Sequence, residues 1–99
     1  MFINMSNFEP KSGKSAEFRE FFVSQVLPVT LAAKGLVSAE IYSSPDGIIT
    51  NIEHWESESA WKALTEELLG RTDLAAPFEG LVEKFWEYPL TSLKSFKAS

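Results

Sequence analysis

Alternating apolar and polar residues predict four β-strands in this chain. They run over Phe2–Phe8, Leu36–Ser43, Ile48–Trp55 and, from about residue 85, Phe85–Leu90. The second and third strands are separated by Pro45-Asp46-Gly47, in which Pro fixes φ, Asp bonds to nearby backbone and Gly accepts a positive φ. This tight turn predicts that the two strands form an antiparallel hairpin.

A helix is predicted between the first two strands. Ser15 is a good N-cap, and the apolar positions that follow recur at helical spacing, at Phe18, Phe22 and Val26. Pro28 falls inside this pattern, so we expect it to kink or interrupt the helix. Gly35 is a natural residue to end the helix.

The second helical pattern follows the third strand directly. It covers about Glu58–Leu69, with Ser57 as the N-cap, and Asp73 is a candidate cap for a short third helix that holds Phe78. The order of elements is therefore β-α-β-β-α-(α)-β. This order predicts an α+β, ferredoxin-like fold with a four-stranded antiparallel sheet and helices on one face, in a single domain over residues 1–99.

The other face of such a sheet has no helix to cover it. The alternation places apolar side chains there, at Leu36, Tyr42, Ile48 and Ile52. An uncovered apolar face implies a partner, and the commonest partner is a second copy. The sequence therefore predicts a homodimer whose sheets face each other.

Composition removes several classes of function. The formal net charge is −5 and the nine Lys and Arg residues are scattered, which argues against a nucleic-acid partner. The chain has no Cys and one His, His54, so we expect no metal site. No apolar run approaches membrane-spanning length, and the first residues lack the basic and apolar regions of a signal peptide. We expect a cytoplasmic protein with no membrane partner.

Two segments resemble a known family. Ser43-Ser44-Pro45-Asp46-Gly47 and Trp55-Glu56-Ser57-Glu58-Ser59-Ala60, with the order of elements, look like the antibiotic biosynthesis monooxygenase family of small dimeric α/β-barrel proteins. Within it, the chain is most similar to the cofactor-free monooxygenases that oxidise polycyclic aromatic polyketides to quinones. Those enzymes carry an Asn four residues before this Trp and an aromatic residue six residues after it; here these are Asn51, Trp55 and Trp61.

The chain also departs from that pattern. Many members have a His in the second helix, where this chain has Leu64, and for this reason the haem-degrading branch is set aside. The active-site Arg of the quinone-forming enzymes has no clear match, since Arg71 lies too early and Ala75 is near the aligned place. In those enzymes the aromatic residue is a Tyr, so Trp61 keeps the ring and loses the phenol.

The resemblance implies an oxidation by O₂ that uses no metal, flavin or haem. The substrate would be a small electron-rich aromatic (a phenol, anthrone or quinol) that reduces O₂ once it is deprotonated. The protein then has to supply an apolar pocket, a proton acceptor and donors for the developing oxyanion. The alternative is a non-catalytic, dimeric small-ligand-binding or stress-related domain of the same fold, which the missing His and Arg favour.

The strand period and the resemblance together give candidate site residues. Period two places Asn51, Glu53 and Trp55 on one strand face, and the family pattern assigns that face to the helices. Asn51 and Trp55 are the two expected donors and Glu53 is the candidate base, because a carboxylate beside aromatic rings has a raised pKa. The expected substrate contacts are Trp61, Phe18, Phe22 and Leu64.

Each of these residues has a structural alternative. Glu53 is then a strand-end carboxylate that reaches solvent or pairs with a Lys, and Asn51 only satisfies buried backbone groups. Trp55 packs the end of the strand, and Trp61 is a wall rather than a reacting group. His54 points away from the assigned pocket, towards the dimer side or its rim.

Overall fold

The computed structural model describes residues 1–98. These residues include one antiparallel sheet of four strands. The strands are β1 (Phe2–Pro10), β2 (Leu36–Ser43), β3 (Ile49–Trp55) and β4 (Val82–Leu90). Their order across the sheet is β2-β3-β1-β4, and every neighbouring pair is antiparallel. The predicted ferredoxin-like α+β fold is confirmed, and β1 lies at the centre of the sheet with β3 and β4 beside it.

The helices all lie on one side of this sheet. They are α1 (Ser15–Phe21), a π-helical segment (Phe22–Val26), α2 (Leu27–Leu31), α3 (Glu58–Leu69) and α4 (Thr72–Leu81). No helix of the described residues is long and apolar enough to cross a membrane.

Pro28 interrupts the first helix in the way that its chemistry predicts. It lies at the start of α2, and the wider π-helical segment immediately precedes it. Pro has no backbone N–H to donate and its ring crowds the preceding turn, so a wider turn there accommodates it. Further along, Gly35 has a φ of 91°, a conformation that favours glycine.

The hairpin forms as predicted, and Gly47 in its turn has a φ of 89°. The cap of α3 is also formed, because the Ser57 Oγ accepts a hydrogen bond of 3.2 Å from the Ala60 N–H. The expected start of β4 near residue 85 was wrong: the strand begins at Val82, directly after α4.

The core lies between the sheet and the helices and is mostly aromatic. Phe8 of β1 packs against the rings of Phe18, Phe22, Phe78 and Phe85, with centroid separations of 5.1 to 6.0 Å. Tilted and edge-on ring pairs at such distances are favourable. The sheet and helices are therefore held together at one end of the molecule by a cluster of Phe side chains.

The opposite face of the sheet is open in the described chain. It carries a row of exposed and half-buried apolar side chains, namely Ile3, Met5, Tyr42, Ile52, Trp86, Tyr88 and Leu90. His54 lies on this face too, with its Nδ1 3.2 Å from the Ser38 Oγ.

Of the residues predicted for the open face, one lies on the other face and one lies outside the strands. The register of β2 shifts between Leu36 and Ser38, so Leu36 pairs with Trp55 and shares its helix-facing side. Ile48 lies between the hairpin turn and the first residue of β3. An irregular register cannot be read from alternation, because one extra residue reverses the face of everything before it.

Candidate functional site

A cavity of about 470 Å³ lies between the sheet and the helices. Its floor is polar and comes from the three strands at the centre and one edge of the sheet, through Ser6, Asn51, Glu53 and Glu87. Its walls are largely apolar and include Phe22, Trp61, Leu64, Leu74 and Phe78. An apolar cavity with a few converging polar groups is the usual form of a small-molecule site.

Glu53 is the centre of the polar floor. Only 5% of its surface is exposed, and both carboxylate oxygens accept hydrogen bonds from its own strand. The Asn51 Nδ2 donates to Oε2 at 2.8 Å and the Trp55 Nε1 donates to Oε1 at 3.1 Å. All three side chains project from the same face of β3 because they are two residues apart, so the period of the strand builds the contact.

Burial is the main influence on the ionisation of Glu53. It raises the pKa of this carboxyl above its ordinary value, and the negative charge of Glu87 raises it a little further. The hydrogen bonds from Trp55 and Asn51 act in the opposite direction, because they favour the charged form. The net effect is an upward shift, which brings the carboxyl closer to the range in which a general base works at neutral pH.

Glu87 extends the floor from the other side of β1. It pairs with Ser6 across the sheet, and its Oε2 accepts hydrogen bonds of 3.1 Å from the Ser6 Oγ and from the Asn4 Nδ2. Asn4 is 1% exposed and Ser6 is 7% exposed. Two carboxylates, each held by side chains on the neighbouring strand or on its own, therefore lie on the same face of the sheet, one on each side of β1.

Two buried amide oxygens have no partner among residues 1–98. They are the Oδ1 atoms of Asn4 and Asn51. A buried acceptor without a hydrogen bond is costly, by about 1–3 kcal/mol, and native proteins leave few of them. Asn51 lines the cavity, so its unpaired acceptor is a group that a bound ligand can satisfy.

The expected site residues fall into two groups. The cavity is lined by five of them, namely Asn51, Glu53, Trp61, Phe22 and Leu64. Phe18 and Trp55 do not line it: both are fully buried, Phe18 within the aromatic core and Trp55 behind Glu53. The prediction for these two side chains differs from the structure because residues on the same face of a helix or strand lie at different depths. The spacing of residues along the chain does not reveal that depth.

The geometry also changes the role expected for Asn51 and Trp55. Both were expected to donate to a substrate oxygen, but both donate to Glu53 in the structure. The indole has only one N–H, so Trp55 has no donor left for a ligand. Asn51 keeps its second N–H and its unpaired Oδ1.

Glu87, Ser6 and Asn4 were not predicted from the sequence as residues of the site. Asn4 and Ser6 are polar at alternate positions of a central strand, and Glu87 interrupts an aromatic strand, so each carries a weak signal. Their proximity depends on the pairing of β1 with β4, which joins residues more than 80 positions apart.

A second cavity of about 530 Å³ lies between α2 and α3. It is lined mainly by small side chains such as Ala32, Ala33 and Ala63, and its charged rim residues include Lys34 and Glu67, which are exposed. It contains no buried titratable group of the described chain, so the cavity above Glu53 is the better candidate despite its slightly smaller volume. Within residues 1–98 there is no group of three or more His, Cys, Asp or Glu side chains placed to hold a metal ion.

Comparison with known protein families shows to which family the chain belongs. The family model described as antibiotic biosynthesis monooxygenase matches residues 1–67. The chain belongs to this family. The match includes β1, the hairpin and most of α3, and hence Asn51, Glu53, Trp55 and Trp61. No curated protein matches this member of the family significantly in sequence.

Solved structures share the fold of this family member at low sequence identity. The structure of Rv0793 from Mycobacterium tuberculosis has a TM-score of 0.76 and 19% identity, and the match covers 97% of this chain and 98% of that one. A dimeric ferredoxin-like protein from an uncultured marine organism has a TM-score of 0.75 and 17% identity, with 99% and 92% covered.

A third structure is a monooxygenase from the gene ActVA-Orf6 of Streptomyces coelicolor in complex with the ligand nanaomycin D. Its TM-score is 0.72 and its identity is 21%, over 99% of this chain and 92% of that one. At these identities the comparisons show that this chain has the same fold as these structures. The bound nanaomycin D and the dimer are properties of the proteins in which they were seen.

Proposed function

We propose that this protein is a cofactor-independent monooxygenase that oxidises a small, electron-rich aromatic compound such as a phenol, anthrone or quinol with O₂. The observation that carries the proposal is the buried carboxylate of Glu53 on the floor of an apolar cavity. Membership of the monooxygenase family and the fold shared with a monooxygenase–ligand complex support it.

In this proposal Glu53 is the general base. It takes a proton from the bound aromatic, whose anion then gives electrons to O₂. For an anthrone, the reacting CH₂ becomes a carbonyl, one atom of O₂ enters the product and the other leaves as water. The raised pKa of Glu53 supports the assignment, because a stronger base accepts a proton more readily at neutral pH.

Asn51 and Trp55 are proposed to act in different ways. Trp55 is a positioning residue, since its N–H holds the carboxylate and its ring is fully buried behind it. Asn51 both holds Glu53 and lines the cavity, so its second N–H is available to the oxygen of the substrate. Trp61, Phe22 and Leu64 are the proposed apolar contacts with the aromatic rings.

The test measures O₂ consumption with anthrone as substrate and subtracts the uncatalysed oxidation of anthrone. A chelator is present to remove metal ions. Replacing Glu53 by Gln should lower the rate about 10²- to 10⁴-fold, the usual contribution of a general base. Asn51→Ala should lower it on the order of 10²-fold, as for loss of one oxyanion donor. Glu66→Gln, an exposed change in α3 outside the cavity lining, is the control and should leave the rate unchanged.

The second candidate is a ligand-binding domain without catalysis. Leu64 stands where many family members have a His, and Ala75 is near the place of the Arg of the quinone-forming enzymes; both line the cavity as apolar side chains. Tight binding of an aromatic ligand with no O₂ consumption above background would favour this candidate over the oxygenase.

We further propose that two copies associate through their open sheet faces. The apolar row that includes Met5, Ile52 and Trp86 supports this, as does the dimeric description of a protein that shares the fold. A standard interface would bury roughly 800 Å² per partner. Light scattering should give the mass of a dimer, and Ile52→Glu should produce monomers; a wild-type monomer at micromolar concentration would refute the proposed dimer.

A further inference from the structure

The cavity above Glu53 has a marked excess of negative charge. Three carboxyl groups line it, those of Glu53, Glu79 and Glu87; Glu53 is buried, whereas Glu79 and Glu87 are exposed. Among the described residues that line it there is no Lys, Arg or His. An anion placed here would meet like charges and no compensating cation, which is unfavourable, and most strongly so beside the buried Glu53.

The floor of the cavity also offers more acceptors than donors. The N–H of Trp55 and one N–H of Asn51 are used by Glu53, while the Ser6 hydroxyl is used by Glu87. The Asn51 Oδ1 is buried without a partner. The Oε1 of Glu87 accepts no hydrogen bond from the described residues, since both bonds to this carboxylate end on Oε2.

The two main acceptor groups are well separated on the sheet. Glu53 is on β3, Glu87 is on β4, and β1 runs between them. Adjacent strands are about 4.8 Å apart, so the two backbones are roughly 10 Å from each other. The cavity volume of about 470 Å³ accommodates a fused aromatic ring system across this span.

We propose that Glu87 is a specificity-determining residue, which with Glu53 selects a neutral fused aromatic ligand bearing a hydroxyl at each end and rejects anionic ligands. One hydroxyl donates to Glu53 and the other donates to Glu87. This inference rests on the proposed function, because it specifies the substrate class of the same cavity.

Titration calorimetry in the absence of O₂, with four naphthalene probes, tests the proposal without turnover. The probes are 2,6-dihydroxynaphthalene, 2-naphthol, 6-hydroxy-2-naphthoate and 2-naphthylmethylammonium. Wild type should bind the diol about tenfold or more tightly than 2-naphthol, which is the effect of one additional hydrogen bond to a charged acceptor. The naphthoate should bind at least tenfold more weakly than the diol.

Glu87→Gln is the diagnostic variant, because the amide removes the charge and adds a donor in the same shape. It should improve naphthoate binding about tenfold and reduce the advantage of the diol over 2-naphthol. Glu83→Gln makes the same change on β4 outside the cavity lining and should alter none of the affinities.

Several outcomes would overturn the inference: no binding of the diol at millimolar concentration, equal binding of the diol and 2-naphthol, or equal responses of the two variants. Tighter binding of the ammonium probe than of the diol would also overturn it, since the carboxylates would then serve a cation. The proposed function fails separately, if the predicted affinities are found and no compound of this class supports O₂ consumption.

Discussion

Replacing Trp55 by Phe removes one hydrogen bond from Glu53 and retains most of the buried ring. The indole N–H donates to Oε1 at 3.1 Å, and the Trp55 side chain is fully buried. The substitution should therefore weaken both the stabilisation of the carboxylate and the packing around the ring. These two effects differ in their dependence on pH.

The expected magnitude follows from the two effects. A hydrogen bond to a charged group contributes about 1.5–3 kcal/mol, whereas one to a neutral group contributes about 0.5–1.5 kcal/mol. Trimming the buried ring adds roughly 1 kcal/mol of packing loss, independent of pH. When Glu53 is ionised, the variant should be destabilised by about 2.5–4 kcal/mol; when it is protonated, the loss should be about 1–1.5 kcal/mol smaller.

The sign of the pH dependence follows from the raised pKa of Glu53. Between its ordinary value of 4.5 and the raised folded value, the folded state binds more protons than the unfolded state. The stabilisation from this group is present below 4.5 and is lost as pH rises through the folded pKa. Loss of the Trp55 N–H raises that pKa further, so the variant should lose stability over a wider pH range.

Urea unfolding of wild type and variant at a series of pH values from 4.5 upward measures the difference. Trp86→Phe is the matched control: its ring lies on the open face and makes no hydrogen bond to a carboxylate in the described structure. Its destabilisation should not vary with pH. If the Trp55 variant showed the same destabilisation at every pH, the N–H would not be stabilising an ionised Glu53, and the proposed positioning role would be refuted.

Further predictions concern the scaffold and are all measured by urea or thermal unfolding. Gly35→Ala should destabilise the protein by about 1–3 kcal/mol, since φ is 91° and an added Cβ would lie 2.7 Å from the Ala60 Cβ; a loss below 0.5 kcal/mol would contradict this reasoning. Gly80→Ala is its control inside α4, where nothing lies within 4 Å, and it should be neutral or stabilise by up to about 1 kcal/mol. Ser57→Ala should cost about 0.5–2 kcal/mol because it removes the cap of α3, and an unchanged midpoint would show that the cap is dispensable. Leu64→Ala should cost about 2–5 kcal/mol, since this side chain is 5% exposed, and a loss under 1 kcal/mol would mean that the cavity wall repacks around it.

Local patterns in the sequence determined the elements and the family. The alternation from Ile49 to Trp55 placed Asn51, Glu53 and Trp55 on one face, and the structure buries all of these positions. The Pro45-Asp46-Gly47 turn determined the hairpin, because two strands joined by so short a turn can only run antiparallel. These features depend on residues that are near neighbours in the chain, so they can be read without knowledge of the fold.

Tertiary structure alone decided which groups meet in the cavity. Glu87 reaches Asn4 and Ser6 because β4 pairs with β1, a contact between the two ends of the chain that no local pattern specifies. The same holds for depth: Phe18 and Phe22 share a helical pattern, but only Phe22 borders the cavity. Periodicity gives the direction of a side chain, whereas its neighbours across the core depend on how the elements pack, and that packing determined the polar floor of this site.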